Sequence, residues 1–384
     1  MMDQLLDSDV GTLVPIVEGQ KAFVPDRLPD NIALDPSVIY LLDEASRAVA
    51  TLSGVGETIS NPNLLIRPFL RREAVLSSRI EGTQASISDL LLHEASGIRH
   101  ATGDVVEVAN YVRALEHGIE RLEALPICIR LINEVHAVLL RGVRGGDKRL
   151  GEFRPSQVWI GIPGTPIEEA RFIPPPPQYI QDLMADLERF VNEETLMPPL
   201  VQCALIHYQI ETIHPYVDGN GRIGRLLIPL FLNSKQILSK PLLYISAYFE
   251  ADRQKYYDEL FNTSKTGDWN AWLKYFLKGF AEQAVDALLR TRRVRELHEK
   301  YRQLLQDRRE SGNTLSLLDQ LFMRAFITAP LAARVLNVTP AGSRRILERL
   351  EDAGIVNAID DTRPRIYVAR ELLKIIESPT ARDY

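Results

Sequence analysis

Between Asp35 and Asp307 apolar residues return every three or four positions, and a single stretch breaks that pattern. Such spacing lines one face of successive α-helices, so the chain has to fold by packing helix on helix. Val38, Leu41, Leu42, Ala45 and Val49 open the pattern after Asp35. A second helix is expected after Asn61-Pro62, carrying Leu64, Leu65, Phe69, Leu70, Ala74, Val75 and Ile80 and ending by Gly82. A short helix is expected over 86–95 and longer ones over 104–125 and 127–141, parted by Pro126. Further helices are expected over 178–194, 199–213, 220–236, 250–264 and 268–289, then an Arg-rich connecting helix from about 288 to 307. Residues 1–34 are rich in Pro and Asp with little periodicity and read as an extended arm.

The break lies between Gly145 and Pro177. Two short β-type runs, Gln157–Ile162 and Ala170–Ile173, flank a Pro/Gly turn region, which is a hairpin signal. Four prolines, Pro174 to Pro177, stop the second run. After Gly312-Asn313 the pattern shortens. Helices are expected over 315–325, 329–336 and 340–353, the last opened by Thr339-Pro340 and stopped by Gly354. Runs 355–359 and 366–369, joined by 360–364, read as a two-stranded wing. The tail therefore reads as a winged helix-turn-helix with 340–353 as recognition helix. The expected fold is a mainly α core with one β-hairpin, plus that tail.

Charge separates the same two parts. The 384 residues carry a net −6, yet from Arg290 onward 18 Lys+Arg meet 13 Asp+Glu, a net of +5. The remainder then carries −11, so a chain coated by nucleic acid throughout is excluded, while the tail stays open to it. No run approaches the roughly 18 uncharged apolar residues of a membrane span. The acidic start MMDQLLDSDV has no basic region before an apolar stretch, so no signal peptide is expected. Two cysteines, Cys128 and Cys203, make neither a disulfide framework nor a zinc cluster. A cytoplasmic protein is expected.

The densest group of functional residue types is Ile213-His214-Pro215-Tyr216-Val217-Asp218-Gly219-Asn220-Gly221-Arg222-Ile223-Gly224-Arg225. His214 and Pro215 end one helix, and an apolar helix starts directly after Gly219-Asn220-Gly221. Glycines about an asparagine let successive N–H groups point into a concavity, and at a helix N-terminus that concavity attracts phosphate. Arg222 and Arg225, three apart, share the adjoining face, where guanidinium forks clamp phosphate oxygens. Asp218 is a hard oxygen ligand suited to Mg²⁺ held mainly by substrate phosphates. His214 is a base whose unperturbed pKa lies near neutrality. The combination reads as a site of phosphoryl or nucleotidyl transfer. The other histidines, His93, His100, His117, His136, His207 and His298, show no metal-ligand spacing and read as surface or core groups.

The segment resembles the Fic-domain signature H-P-F-x-[DE]-G-N-G-R-x-x-R, with Tyr216 in place of Phe. The resemblance implies a protein adenylyltransferase moving AMP from ATP to a Ser, Thr or Tyr hydroxyl of a protein, itself included. It implies His214 as base and Asp218 on Mg²⁺, with Mn²⁺ able to substitute. It also implies Gly219, Asn220, Gly221, Arg222, Ile223, Gly224 and Arg225 about the ATP phosphates. Gly151–Gly161, ending in Pro174–Pro177, is similar to the family's flap, whose edge at Val158, Trp159, Ile160 and Gly161 would register a target by strand addition. Ser77-Ser-Arg-Ile-Glu81-Gly82 resembles the inhibitory motif [ST]-x-x-x-E-[GN]. By that likeness Glu81 pairs with Arg225 and blocks the γ-phosphate, and Ser77 holds the helix near the Asn220 loop. Ala247–Leu260 is similar to the helix after the motif, from which Tyr256 would face adenine.

These likenesses imply four parts: a helical region with the inhibitory helix (1–100), a Fic-like core (101–289), a connecting helix (290–312) and the winged helix (313–384). A homodimer is a family-level expectation. Two other readings stand beside the transferase. Glu81 could orient water and the same site remove AMP from a modified protein. Alternatively, Arg344, Arg345, Arg349, Arg363 and Arg365 could make the tail a DNA-binding regulator governed by a nucleotide-sensing core.

Overall fold

A helix that is apolar on every side has to be enclosed by others, and Pro199–Ile213 is such a helix: all but one or two of its side chains are buried. The structure, a computed structural model, describes residues 8–16, 19–59, 61–96, 102–143, 149–162, 164–359 and 364–378. The expected extended arm is partly a hairpin: β1 (Gly11–Pro15) pairs antiparallel with β2 (Lys21–Pro25). Ala22, Phe23 and Pro25 of β2 are buried while Lys21 faces out. Helices α1 (Pro36–Glu57), α2 (Asn63–Ile80), α3 (Ile87–Ser96), α4 (Gly103–Arg121), α5 (Ile129–Leu139) and α6 (Pro177–Asn192) follow. Then come α7 (Pro199–Ile213), α8 (Asn220–Ser234), α9 (Ser246–Ala251) and α10 (Arg253–Thr266). Proline opens α1, α6 and α7, where its missing N–H costs nothing.

Two expected divisions between helices differ from the sequence reading, beyond shifts of a few residues at helix ends. The expected 250–264 helix is divided at Asp252, whose side chain accepts from Lys255 N and caps α10. The expected 268–289 helix and the Arg-rich connector are one 39-residue helix, α11 (Trp269–Asp307), with no break at residue 290. No proline or glycine after Gly279 interrupts it, and its apolar stripe passes from the core to the tail.

The expected hairpin at 157–173 narrows to one antiparallel bridge, Ile160 with Phe172, because the turn region between is held by a 3₁₀ turn at Ile167–Glu169 instead of continuing the ladder. The second arm is also engaged from outside, since Phe23 N donates to Ile173 O at 2.9 Å.

The tail comprises α12 (Gly312–Arg324), β3 (Phe326–Thr328), α13 (Ala329–Leu336), α14 (Pro340–Asp352), β4 (Asn357–Ile359), β5 (Ile366–Val368) and α15 (Arg370–Glu377). Its antiparallel sheet has the order β3-β5-β4, so the two expected wing strands gain a third from Phe326–Thr328. Ser311, Thr328 and Thr339 cap α12, α13 and α14 through their hydroxyls. Arg344 and Arg345 are exposed on α14, whereas Arg349 pairs with Glu310 at 3.0 Å. Arg365 lies 3.8 Å from Glu351, and Arg363 falls outside the described residues. The tail does not hang free. Helix α12 packs along α2, Ser88 donates to Glu377 at 2.7 Å, and Arg290 bonds the carbonyls of Ile375 and Ser378.

Candidate active site

Helices α7 and α8 meet in a loop whose shape is set by one asparagine. Asn220 Oδ1 accepts from Tyr216 N at 2.8 Å, and its Nδ2 donates to Tyr216 O at 2.9 Å, closing the loop on itself. Gly219 takes φ +80°, a left-handed value that side-chain-bearing residues resist. His214 also stands at φ +50°, just past the end of α7, where the following proline discourages further helix.

His214 Nδ1 lies 3.3 Å from the Glu211 carbonyl, so that nitrogen carries the proton and Nε2 presents its lone pair. Burial pushes its pKa down to about 4, with Arg154 adding to the fall and the Glu211 carbonyl, Glu81 and Asp218 opposing. The ring is neutral near pH 7 and able to accept a proton. Arg154, 2% exposed, fixes the main chain beneath it. It donates to the carbonyls of His214 (2.8 Å), Ser156 (3.1 Å) and Pro175 (2.5 Å), joining the flap base to the histidine.

Behind the loop stands His136 of α5, to which sequence reasoning gave no role. Its ring stacks on Tyr216 at 3.8 Å and 9°. Nδ1 accepts from Gly151 N at 2.9 Å, which leaves Nε2–H for the Asp218 carbonyl at 3.0 Å. Only tertiary structure brings these segments together, so no local signal could have found it. The Tyr216 hydroxyl donates to Asn133 Oδ1 at 2.6 Å.

The two arginines differ. Arg222 spans Glu107 and Asp218, each at 3.4 Å, and its buried Nε has no hydrogen-bond partner. Arg225, 1% exposed, is held at two of its nitrogens: Nε donates to Ser77 Oγ at 2.8 Å, and Nη2 to Ser77 O at 3.1 Å and Glu81 Oε1 at 2.5 Å. Glu81 caps α2, and Gly82 at φ +94° turns the chain away. Burial would raise the Glu81 carboxyl, but Arg225 outweighs it and holds the group below the usual carboxylate range. The carboxylate reaches over α8 so closely that a Cβ on Gly221 would collide with it.

Asp218 is about a third exposed, with Oδ1 on Gly219 N at 2.6 Å. Among the described residues no group of three or more His, Cys, Asp or Glu could hold a metal ion. One accessible carboxylate fits Mg²⁺ whose remaining ligands are phosphate oxygens and water.

Tyr256 requires a correction. It is wholly buried, with its hydroxyl on His207 Nε2 at 2.9 Å and its ring stacked on Phe249 at 4.3 Å, so it cannot receive a base here. The half-buried Tyr257, whose hydroxyl lies 3.4 Å from Ile80 O, is the tyrosine bordering the turn at Glu81 and Gly82. On the flap Val158 and Ile160 are half-buried, whereas Trp159, Gly161 and Ile162 are exposed.

Residues 39–120 match the Fic/DOC family N-terminal region and residues 126–232 the Fic/DOC family domain. The chain carries a Fic/DOC N-terminal region and a Fic/DOC domain over these residues. It is similar to the protein adenylyltransferase Fic of Drosophila sechellia, 31% identical over 197 residues, or 51% of this chain and 36% of that one. The protein adenylyltransferase fic-1 of Caenorhabditis briggsae is 29% identical over 177 residues, 46% of this chain and 31% of that one. The chain thus spans about a third of the length of the curated relatives it matches. In fold it is similar to a Fic family protein from Desulfovibrio desulfuricans G20, with a TM-score of 0.58 at 20% identity over 88% of this chain and 97% of that one. The Fic match ends at residue 232, so it covers the whole histidine-to-arginine loop but not α9 to α15.

Proposed function

We propose that the chain is a protein adenylyltransferase, moving AMP from ATP to a protein hydroxyl, and that Glu81 holds it inhibited. The observation that carries this reading is Arg225, already bonded to Ser77 and Glu81, beside a loop flanked by an unprotonated imidazole nitrogen. In this reading His214 Nε2 accepts the proton of the attacking hydroxyl. The hydroxyl oxygen bonds to the α-phosphorus as the bond to the α,β-bridging oxygen breaks, and pyrophosphate leaves with that electron pair. Gly219, Gly221, Ile223 and Gly224 about the start of α8 would border the phosphates, and the guanidiniums of Arg222 and Arg225 would face their charge. Asp218 would hold Mg²⁺, which when bound neutralises part of that charge. Glu81 occupies the arginine that the γ-phosphate needs. The flap edge at Val158–Gly161 receives the target, and the tail, 313–384, is a docking unit.

Intact-mass measurement after ATP and Mg²⁺ tests this. Glu81→Gly is expected to raise AMP incorporation about tenfold or more, since a charge-assisted hydrogen bond is worth about 1.5–3 kcal/mol. His214→Ala is expected to abolish it. A Glu81→Gly protein that binds ATP normally yet incorporates nothing would sink the proposal.

Two other readings keep a supporting observation. The charge of Glu81 is felt at His214, which suits a water-orienting carboxylate in removal of AMP. Release of AMP from modified protein, lost in Glu81→Gly, would favour it. Exposed Arg344 and Arg345 suit DNA phosphates. A mobility shift that weakens steeply with salt would support that, and none at low salt would refute it.

A further inference from the structure

Glu211 has no part in the transfer just described, yet its carboxylate stands against the same arginine. It lies on the last turn of α7, and α8 crosses so near that a Cβ on Gly224 would collide with Glu211 Oε1. Arg225 therefore faces two acids: Glu81, bonded at 2.5 Å, and Glu211, unbonded but within reach of its charge. Two carboxylates compete there for one guanidinium, and like charges held that close raise the cost of keeping both ionised.

The hydrogen bonds behind Glu211 say which acid is placed to receive a proton. His207 Nδ1 lies 3.1 Å from the Gly224 carbonyl, so that nitrogen must donate. Its Nε2 then has to accept from the Tyr256 hydroxyl at 2.9 Å, which commits the one proton of that phenol. Toward Glu211 Oε1, 3.4 Å away, Tyr256 presents an oxygen lone pair. Two acceptors face each other there, so a proton arriving at this place is best held on Glu211 Oε1.

We infer that Glu211 is a positioning residue for Arg225 that takes up one proton when a nucleoside triphosphate replaces Glu81 on that arginine. This rests on the function proposed above. A γ-phosphate brings more negative charge than the carboxylate it displaces, so the neutral acid becomes the favoured neighbour. The proton comes from solvent and no substrate bond changes. Facing Glu211 are Arg225 on α8, Glu81 at the end of α2, and Tyr256 and Tyr257 on α10, with His207 of α7 bonded to Tyr256 behind them and His214, just past α7, against the Glu211 main-chain carbonyl. Burial holds His207 near 3 and His214 near 4, and raises both tyrosines. Arg225 stays charged and Glu81 ionised. Burial, with Glu81 adding and Arg225 opposing, puts Glu211 at about 7, alone among these groups in titrating near neutrality.

The test is calorimetry of α,β-methylene-ATP with Mg²⁺, which cannot yield AMP, on the full-length Glu81→Gly protein. Binding is measured from pH 6 to 8.5 in two buffers of different protonation heat. The expected result is uptake approaching one proton above pH 7, with affinity falling toward tenfold per pH unit. Adding Glu211→Gln, a neutral isostere of the protonated acid, should remove the uptake and flatten the affinity. Adding Glu211→Asp should keep both. The ligand's own ionisation is common to all three proteins. No uptake in Glu81→Gly, or uptake unchanged by Glu211→Gln, overturns the inference. No binding at any pH removes the proposed function itself, and the inference with it.

Discussion

The seam where α2 meets Arg225 and the flap edge opposite it are finished to different degrees. At the seam every nitrogen of Arg225 that donates finds Ser77 or Glu81, and the guanidinium is 1% exposed. At the flap one bridge holds two arms together, and Trp159 and Ile162 stay 43% and 75% exposed. A buried guanidinium is costly to leave without its partner, whereas a half-made strand edge costs little to extend. In the proposed function the chain's own carboxylate closes the nucleotide side, and the target side is left for another segment to complete.

Arg154 is where the two regions share a support, so removing it should give the largest effect. Arg154→Leu leaves the carbonyls of His214, Ser156 and Pro175 without their donor. A loss of about 3–5 kcal/mol is expected, read as a fall in denaturation midpoint. AMP incorporation should also fall in a Glu81→Gly background, because His214 loses its footing. Unchanged stability would mean that the flap base and the histidine loop are held independently.

Acid should act on the core behind the seam. His207 has its pKa lowered by burial to about 3, so between about pH 6.5 and 3 the unfolded chain binds the extra proton. Its contribution is whole above pH 6.5 and is lost as pH falls. Glu211 and Glu73 act oppositely, since burial raises both and the folded state holds their protons. The comparison with His207→Gln isolates one group. The wild type's advantage should shrink by about 2 kcal/mol from pH 7.5 to pH 5. An advantage independent of pH would show that His207 is not neutral in the fold.

The loop was legible in sequence because its parts are contiguous. From His214 to Arg225 every residue lies within one turn-and-helix, so spacing alone brings the imidazole, Asp218 and both arginines to one end of α8. Helices α1 to α8 were legible for a similar reason, each carrying its own periodicity. What escaped is built from segments far apart. His136 reaches the Asp218 carbonyl across 82 positions, and Arg154 reaches His214 across 60. Tyr256 misled because helical aromatic residues look alike until packing decides which one is enclosed. The β1–β2 hairpin escaped because five-residue strands among prolines show little alternation. The third strand of the tail, Phe326–Thr328, is shorter still.

Ser77→Ala sharpens the comparison with a moderate effect. It removes the hydroxyl that accepts from Arg225 Nε but keeps the Ser77 carbonyl and Glu81 on Nη2. One hydrogen bond to a buried charge is worth about 1.5–3 kcal/mol, part of which water recovers once the seam opens. AMP incorporation should rise several-fold, less than in Glu81→Gly, and the double variant should resemble Glu81→Gly alone. A Ser77→Ala protein as active as Glu81→Gly would show that the serine, and not the carboxylate, keeps the seam shut.

The smallest expected effect belongs to the flap. The Trp159 ring is outside any core cluster and its Nε1–H reaches only the Thr165 carbonyl, at 3.1 Å. Trp159→Ala should therefore change stability by no more than about 0.5 kcal/mol, as surface substitutions do. If the edge at Val158–Gly161 receives a target strand, the exposed indole gains its contacts only when that strand is present. In the Glu81→Gly background, Trp159→Ala should then raise the KM for a protein target several-fold and leave ATP affinity unchanged. The same substitution should leave AMP transfer to water, which needs no docked strand, at its former rate. A fall in kcat with KM unchanged would place Trp159 in the nucleotide half of the site, and the division between a closed side and an open one would fail at that residue.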